Sequence, residues 1–141
     1  MMQKEDVESF LKSVIDWAVD QPNIQALALV GSQARGTARE DSDIDLVIIA
    51  NDPFIYLRDT GWIAHFGVPL RQQVEDYGLV QSLRVWYQSD LEVEYGLTDA
   101  RWAALPLDEG TRRVVKDGMR VLFERRGILS QIEKGINPDS E

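Results

Sequence analysis

Cysteine is absent from the chain, and histidine occurs once, at position 65. The first absence excludes disulfides and thiolate zinc sites. Also missing is any apolar run near the roughly 18 residues that a membrane span needs. The opening MMQKEDVESF carries acidic and polar residues where a signal peptide would have a basic patch and an apolar run, so a cytoplasmic protein is expected. Positive charge is scarce: 15 Lys and Arg stand against 24 Asp and Glu, a formal net charge of −9. Extended nucleic-acid contact needs clusters of Lys and Arg to replace condensed counterions, and this balance argues against it. A small anion such as a nucleoside triphosphate stays compatible, because metal ions and a few placed donors hold it on an acidic background.

What is present suits one domain. The 141 residues, 44% hydrophobic, are enough for one sizeable core and too few for two. The expected domain covers 1–136, followed by a flexible tail at 137–141. Apolar residues recur at helical spacing from Glu5 to Val19 (Val7, Phe10, Leu11, Val14, Ile15, Ala18), which predicts an amphipathic helix ending before Pro22. Short apolar runs at Ile24 to Val30 and Ile44 to Ile49 predict buried strands. The polar segment between them, Ser32 to Ser42, predicts a turn leading into a short helix. Pro53 to Phe66 is read as a helix closed by Gly67. Leu70 to Tyr77, Leu79 to Gln88 and Leu91 to Leu97 read as strands of an antiparallel meander. Asp108 to Asp117 reads as a helix with Asp108 as N-cap and Gly118 as its stop. A late strand at Arg120 to Glu124 and a short helix at Gly127 to Ile136 complete the reading.

The informative stretch is Leu29-Val30-Gly31-Ser32, ten residues, then Asp43-Ile44-Asp45-Leu46. Residues two apart on a strand point to one side, so Asp43 and Asp45 present carboxylates about 7 Å apart at their Cα atoms. Paired carboxylates are the hard oxygen ligands that Mg²⁺ prefers. In two-metal transfer the ions sit about 3.5 to 4 Å apart and stabilise attacking and leaving oxygens. Gly31 and Ser32 fall where a strand gives way to a helix, a place where backbone N–H groups face an anion. A solvated acidic turn is the plainer alternative, but charged residues entering a buried apolar strand need a partner. Asp90, Glu92 and Glu94 alternate with Leu91, Val93 and Tyr95, so the three acids are expected on one strand face.

The segments Gly31-Ser32-Gln33-Ala34-Arg35-Gly36 and Ser42-Asp43-Ile44-Asp45-Leu46 resemble the DNA polymerase beta nucleotidyltransferase superfamily, in its minimal and aminoglycoside adenylyltransferase-like branch. Trp62-Ile63-Ala64-His65-Phe66-Gly67 is similar to a stretch of streptomycin adenylyltransferases. The resemblance implies an α/β (α+β) palm: a mixed, largely antiparallel sheet with helices packed mainly on one face. It also implies a third carboxylate on a later strand, serving as metal ligand and general base. Glu94 is the choice, with Glu92 as the alternative. Two Mg²⁺ held by Asp43, Asp45 and Glu94, ATP as donor, and phosphate contacts from Gly31, Ser32, Arg35 and Ser42 complete the implied site. AMP would pass to a hydroxyl of an unidentified acceptor, a small molecule of aminoglycoside type or a protein. The alternative is a minimal nucleotidyltransferase antitoxin, an interaction module pairing with a helical toxin.

Arg35 suits bidentate phosphate recognition and equally a surface ion pair. Ser42 either touches phosphate or ends the loop. His65, between Ala64 and Phe66, reads as packing rather than catalysis, and most of the tryptophans and tyrosines read as core. Arg112, Arg113 and Lys116 form either a basic rim or a solvated helix face. Fewer than fifty residues follow Glu94, so a homodimer or a protein partner is expected to cover the acceptor side.

Overall fold

The computed structural model describes residues 4–37 and 43–132. Ser42, the end of the expected helix at 127–136 and the tail at 137–141 lie outside these described residues. Six strands form one sheet: β1 (Ile24–Val30), β2 (Ile44–Ala50), β3 (Pro69–Asp76), β4 (Gln81–Tyr87), β5 (Glu92–Thr98) and β6 (Met119–Glu124). Their order is β3-β4-β5-β2-β1-β6. The β2–β5 pair is parallel and every other pair antiparallel, which is the mixed sheet expected.

Strands β1 and β2 are buried on both faces because they are apolar almost throughout. On the first face Leu27, Leu29, Leu46, Ile48, Leu83 and Tyr95 pack into one cluster. Helix α1 (Lys4–Val19) covers it with Phe10, Leu11 and Val14, the residues its 3.6-residue periodicity puts on one side. Trp17 stacks on Trp62 at 5.0 Å, which locks the helix to the 3₁₀ segment Gly61–Phe66. The second face carries a smaller cluster. There Ala26, Ala28, Val47 and Ile49 meet Trp102 and Ala103 of the 3₁₀ turn Ala100–Ala103, together with Leu129 and Ile132.

Two sequence expectations change. Pro53 to Phe66 is not one helix: α2 (Gly31–Arg35) is followed by a four-residue α3 (Ile55–Arg58), an extended Asp59, and then the 3₁₀ segment. The Asp59 carboxylate accepts the Gly61 N–H at 2.9 Å, and this local bond replaces a helical one. Asp90 does not share the strand face of Glu92 and Glu94. It sits in the β4–β5 turn at φ 74°, and β5 begins only at Glu92. The expected helix at Asp108 to Asp117 is α4 (Glu109–Asp117), with Asp108 accepting the Gly110 N–H at 3.0 Å as N-cap. At the C-terminal end residues 126–129 form turns and 130–132 begin a helical turn. No described helix is long and apolar enough to cross a membrane.

Candidate active site

Parallel pairing of β2 with β5 sets Asp45 beside Glu94. Alternation sends both to the second face, opposite to Leu46 and Tyr95, and Asp43 lies two residues back from Asp45 at the mouth of β2. The result is a cluster of Asp43, Asp45 and Glu94 whose ligand oxygens all lie within 4.8 Å of one another, close enough to hold a metal ion. All three are half-buried. Burial, then the charge of Glu94, a hydrogen bond to Glu94 and the charge of Asp43, push the Asp45 carboxyl up to about 7, while Arg84 pulls the other way. The carboxylates are thus gathered at an electrostatic cost that a cation relieves.

Gly31 closes one side. It has φ +75°, and a Cβ built there would come within 2.5 Å of Asp45 Oδ2, so only glycine lets backbone and carboxylate approach this closely. Ser32 follows on α2, half-buried. Arg35 ends that helix and packs against Gly118, where a Cβ would meet its Cγ at 2.8 Å. Among the described residues Arg35 makes no ion pair, and its side chain is exposed at the end of α2.

From Gly31, Arg35 and Asp45 a cavity of about 440 Å³ extends along the second face beneath α4. Val47, Val80, Trp102 and Val114 give it apolar walls, and Ser82 and Glu94 line its floor. Thr111 also lines it, 2% exposed, and its Oγ1 has no hydrogen-bond partner among the described residues. A buried hydroxyl without a partner is rare in proteins. Arg113 stands at the mouth, 3.5 Å from Glu109, whereas Arg112 and Lys116 are exposed outside it. The basic rim read from the sequence therefore reduces to Arg113. His65 is exposed on the 3₁₀ segment, beside Phe66.

Sequence reasoning did not single out Arg84. It lies on β4 opposite Glu94. Its Nη1 donates to Asp43 Oδ2 at 2.8 Å and to Glu92 Oε2 at 2.7 Å, its Nη2 to Glu94 Oε2 at 3.0 Å and its Nε to Glu75 Oε1 at 3.0 Å. Burial alone lowers the guanidinium pKa. Hydrogen bonds to Glu92, Glu75 and Asp43, with the charge of Glu94, outweigh it and hold Arg84 above its ordinary value. Ser82 adds a bond to Glu94 Oε1 at 2.8 Å. Arg84 engages both Glu94 and Glu92, the alternative third acid, but only Glu94 belongs to the cluster with the two aspartates. The signal in the sequence was alternation: Ser82, Arg84 and Trp86 face away from Leu83, Val85 and Tyr87. Linking Arg84 to the acids required the strand register. Thr111 carried no signal, because its environment arises from tertiary packing.

A comparison with curated proteins finds no match. Among solved structures the chain is similar to an aminoglycoside 6-adenyltransferase from Bacillus subtilis, with a TM-score of 0.55 and 16% identity, covering 72% of this chain and 37% of that one. At that identity the likeness concerns the fold, and the chain spans little more than a third of that protein's length. A family model described as a nucleotidyltransferase domain matches residues 11–98, which hold β1 to β5, Gly31-Ser32 and all three clustered acids. The chain belongs to the nucleotidyltransferase domain family.

Proposed function

We propose that this chain is a Mg²⁺-dependent nucleotidyltransferase that moves AMP from ATP to a hydroxyl of an acceptor, either a small molecule or a protein. The observation that carries the reading is the convergence of Asp43, Asp45 and Glu94, within 4.8 Å of one another, against the bare backbone of Gly31. The donor set fits Mg²⁺: it is all carboxylate oxygen, and burial with the charges of Glu94 and Asp43 raises the Asp45 pKa, a combination that a bound cation offsets. Bound there, Mg²⁺ supplies charge neutralisation at the phosphoryl group under attack.

The chain's own residues supply the rest. Gly31 and Ser32 offer backbone and hydroxyl donors to the departing phosphates, and Arg35, which lines the cavity beside them, offers a guanidinium. The 440 Å³ cavity takes the nucleoside, a size and an apolar lining suited to a group of that kind, with Thr111 Oγ1 as the polar contact. Glu94 accepts the proton of the acceptor hydroxyl as its oxygen bonds to the α-phosphorus and the bond to pyrophosphate breaks. Trp102, Thr111 and Val114 wall the donor side, and a second copy or a protein partner would supply the acceptor side.

Incubation with labelled ATP, Mg²⁺ and a panel of aminoglycosides, metabolites and proteins tests the reading. Label transfer with pyrophosphate release is expected, and its loss in Asp43→Asn. Absence of both nucleotide binding and pyrophosphate release under all these conditions would remove it. Light scattering on the active species separates monomer from dimer or complex.

A further inference from the structure

The reaction outlined above leaves Arg84 without a task, although among the described residues it makes the most ion pairs. It sits on the same face as five carboxylates, those of Asp43, Asp45, Glu75, Glu92 and Glu94, and its side chain is 18% exposed. Its four ion pairs fall into two sets. Asp43 and Glu94 belong to the cluster that could bind a cation, and Glu75 and Glu92 do not. The guanidinium fork thus occupies one oxygen on each of two prospective ligands while two other acids hold it from outside.

We propose that Arg84 is a positioning residue that competes with the divalent cation: it holds Asp43 and Glu94 together in its absence and must yield one oxygen of each when it binds. The inference rests on the reading that Asp43, Asp45 and Glu94 form a cation site. Glu75 and Glu92 give the guanidinium a place to remain, so the exchange needs rotation of the two ligand side chains and no shift of β4. Two consequences follow from charge and occupancy. The cluster stays assembled without metal, and its affinity for metal is lower than a bare set of three carboxylates would have, which favours arrival of the ion together with a nucleotide over permanent binding.

Binding of Mn²⁺ to the full chain without nucleotide, followed by the electron paramagnetic resonance of the free ion, tests this. Arg84→Met is expected to bind Mn²⁺ about tenfold more tightly than the wild type, and Arg84→Lys, which keeps charge but loses the fork, about threefold more tightly. Arg35→Gln removes a nearby cation that touches neither Asp43 nor Glu94, and is expected to change affinity by less than about twofold. Unchanged or weaker binding in Arg84→Met overturns the proposal, as does an equal gain in Arg35→Gln, which would reduce the effect to overall charge. Should Arg84→Met lack a folded circular dichroism spectrum, Arg84→Lys decides by the same criterion. Tighter Mn²⁺ binding in a chain that neither binds nucleotide nor releases pyrophosphate would sustain this inference and sink the transferase reading. Pyrophosphate release with unaltered Mn²⁺ affinity in the variants would do the reverse.

Discussion

A carboxyl displaced from 3.8 to about 7 makes Asp45 a reporter of its own surroundings. Between these values the folded chain retains a proton that the unfolded chain releases, so metal-free stability falls as pH rises through that window and levels off above it. Asp45→Asn has no such proton. In EDTA its melting temperature is therefore expected to rise relative to the wild type from pH 4 to pH 7, with no further divergence at higher pH, while activity with Mg²⁺ drops more than about a hundredfold. Parallel melting curves across that range would show that Asp45 ionises normally. At this scale the sequence was most informative where chemistry and spacing coincided: the alternation of Asp43 and Asp45 implied a shared side, and Gly31 implied a close approach. Arg84 was unreadable because its meaning lies in the register of β4 against β5 and in the approach of Asp43 from beside β2, which no local pattern of residues 81 to 87 specifies.

Helix α4 is only nine residues long, yet it forms one wall of the cavity. Its inward residue Thr111 keeps a buried hydroxyl that no described group satisfies, an arrangement that costs stability unless something else uses it. Thr111→Val is thus expected to leave the melting temperature unchanged or higher, while weakening binding of Mg²⁺-ATP by about five- to tenfold, the worth of one hydrogen bond. Calorimetric titration beside a thermal melt checks both halves, and a variant that melts lower with unaltered nucleotide affinity would assign Thr111 to packing. The boundaries of this helix were legible through Asp108 and Gly118, and those of the strands through apolar runs and turn residues. Residues 53 to 66 were not. Their apolar groups lack a clean period, and the Asp59 bond to the Gly61 N–H is a choice between two local structures of similar energy.

For the molecule as a whole, the strand order has a bearing on how the site comes into being. Asp45 and Glu94 are joined by the one parallel ladder in the sheet, and the excursion between them contains α3, a 3₁₀ segment and two strands. The antiparallel meander of β3, β4 and β5 was legible from its short separations, but the parallel seating of β5 against β2 was not, since a strand run does not reveal which distant strand it joins. A parallel pair cannot be closed by a tight turn, and the entropy of a long loop must be met before its contacts form. The ends of the antiparallel β3–β4–β5 meander lie close in the chain, so it is free to form early, whereas the β2–β5 seam has to wait for it. In a refolding experiment the far-UV signal is expected to develop before, or together with, the capacity to bind Mn²⁺, and never after it. Ion uptake preceding sheet formation would contradict this. On the proposed reading the acids would then serve as a completion mark: a nascent or misassembled chain carries Asp43 and Asp45 from the outset, but gains its third carboxylate only when the middle of the sheet has closed.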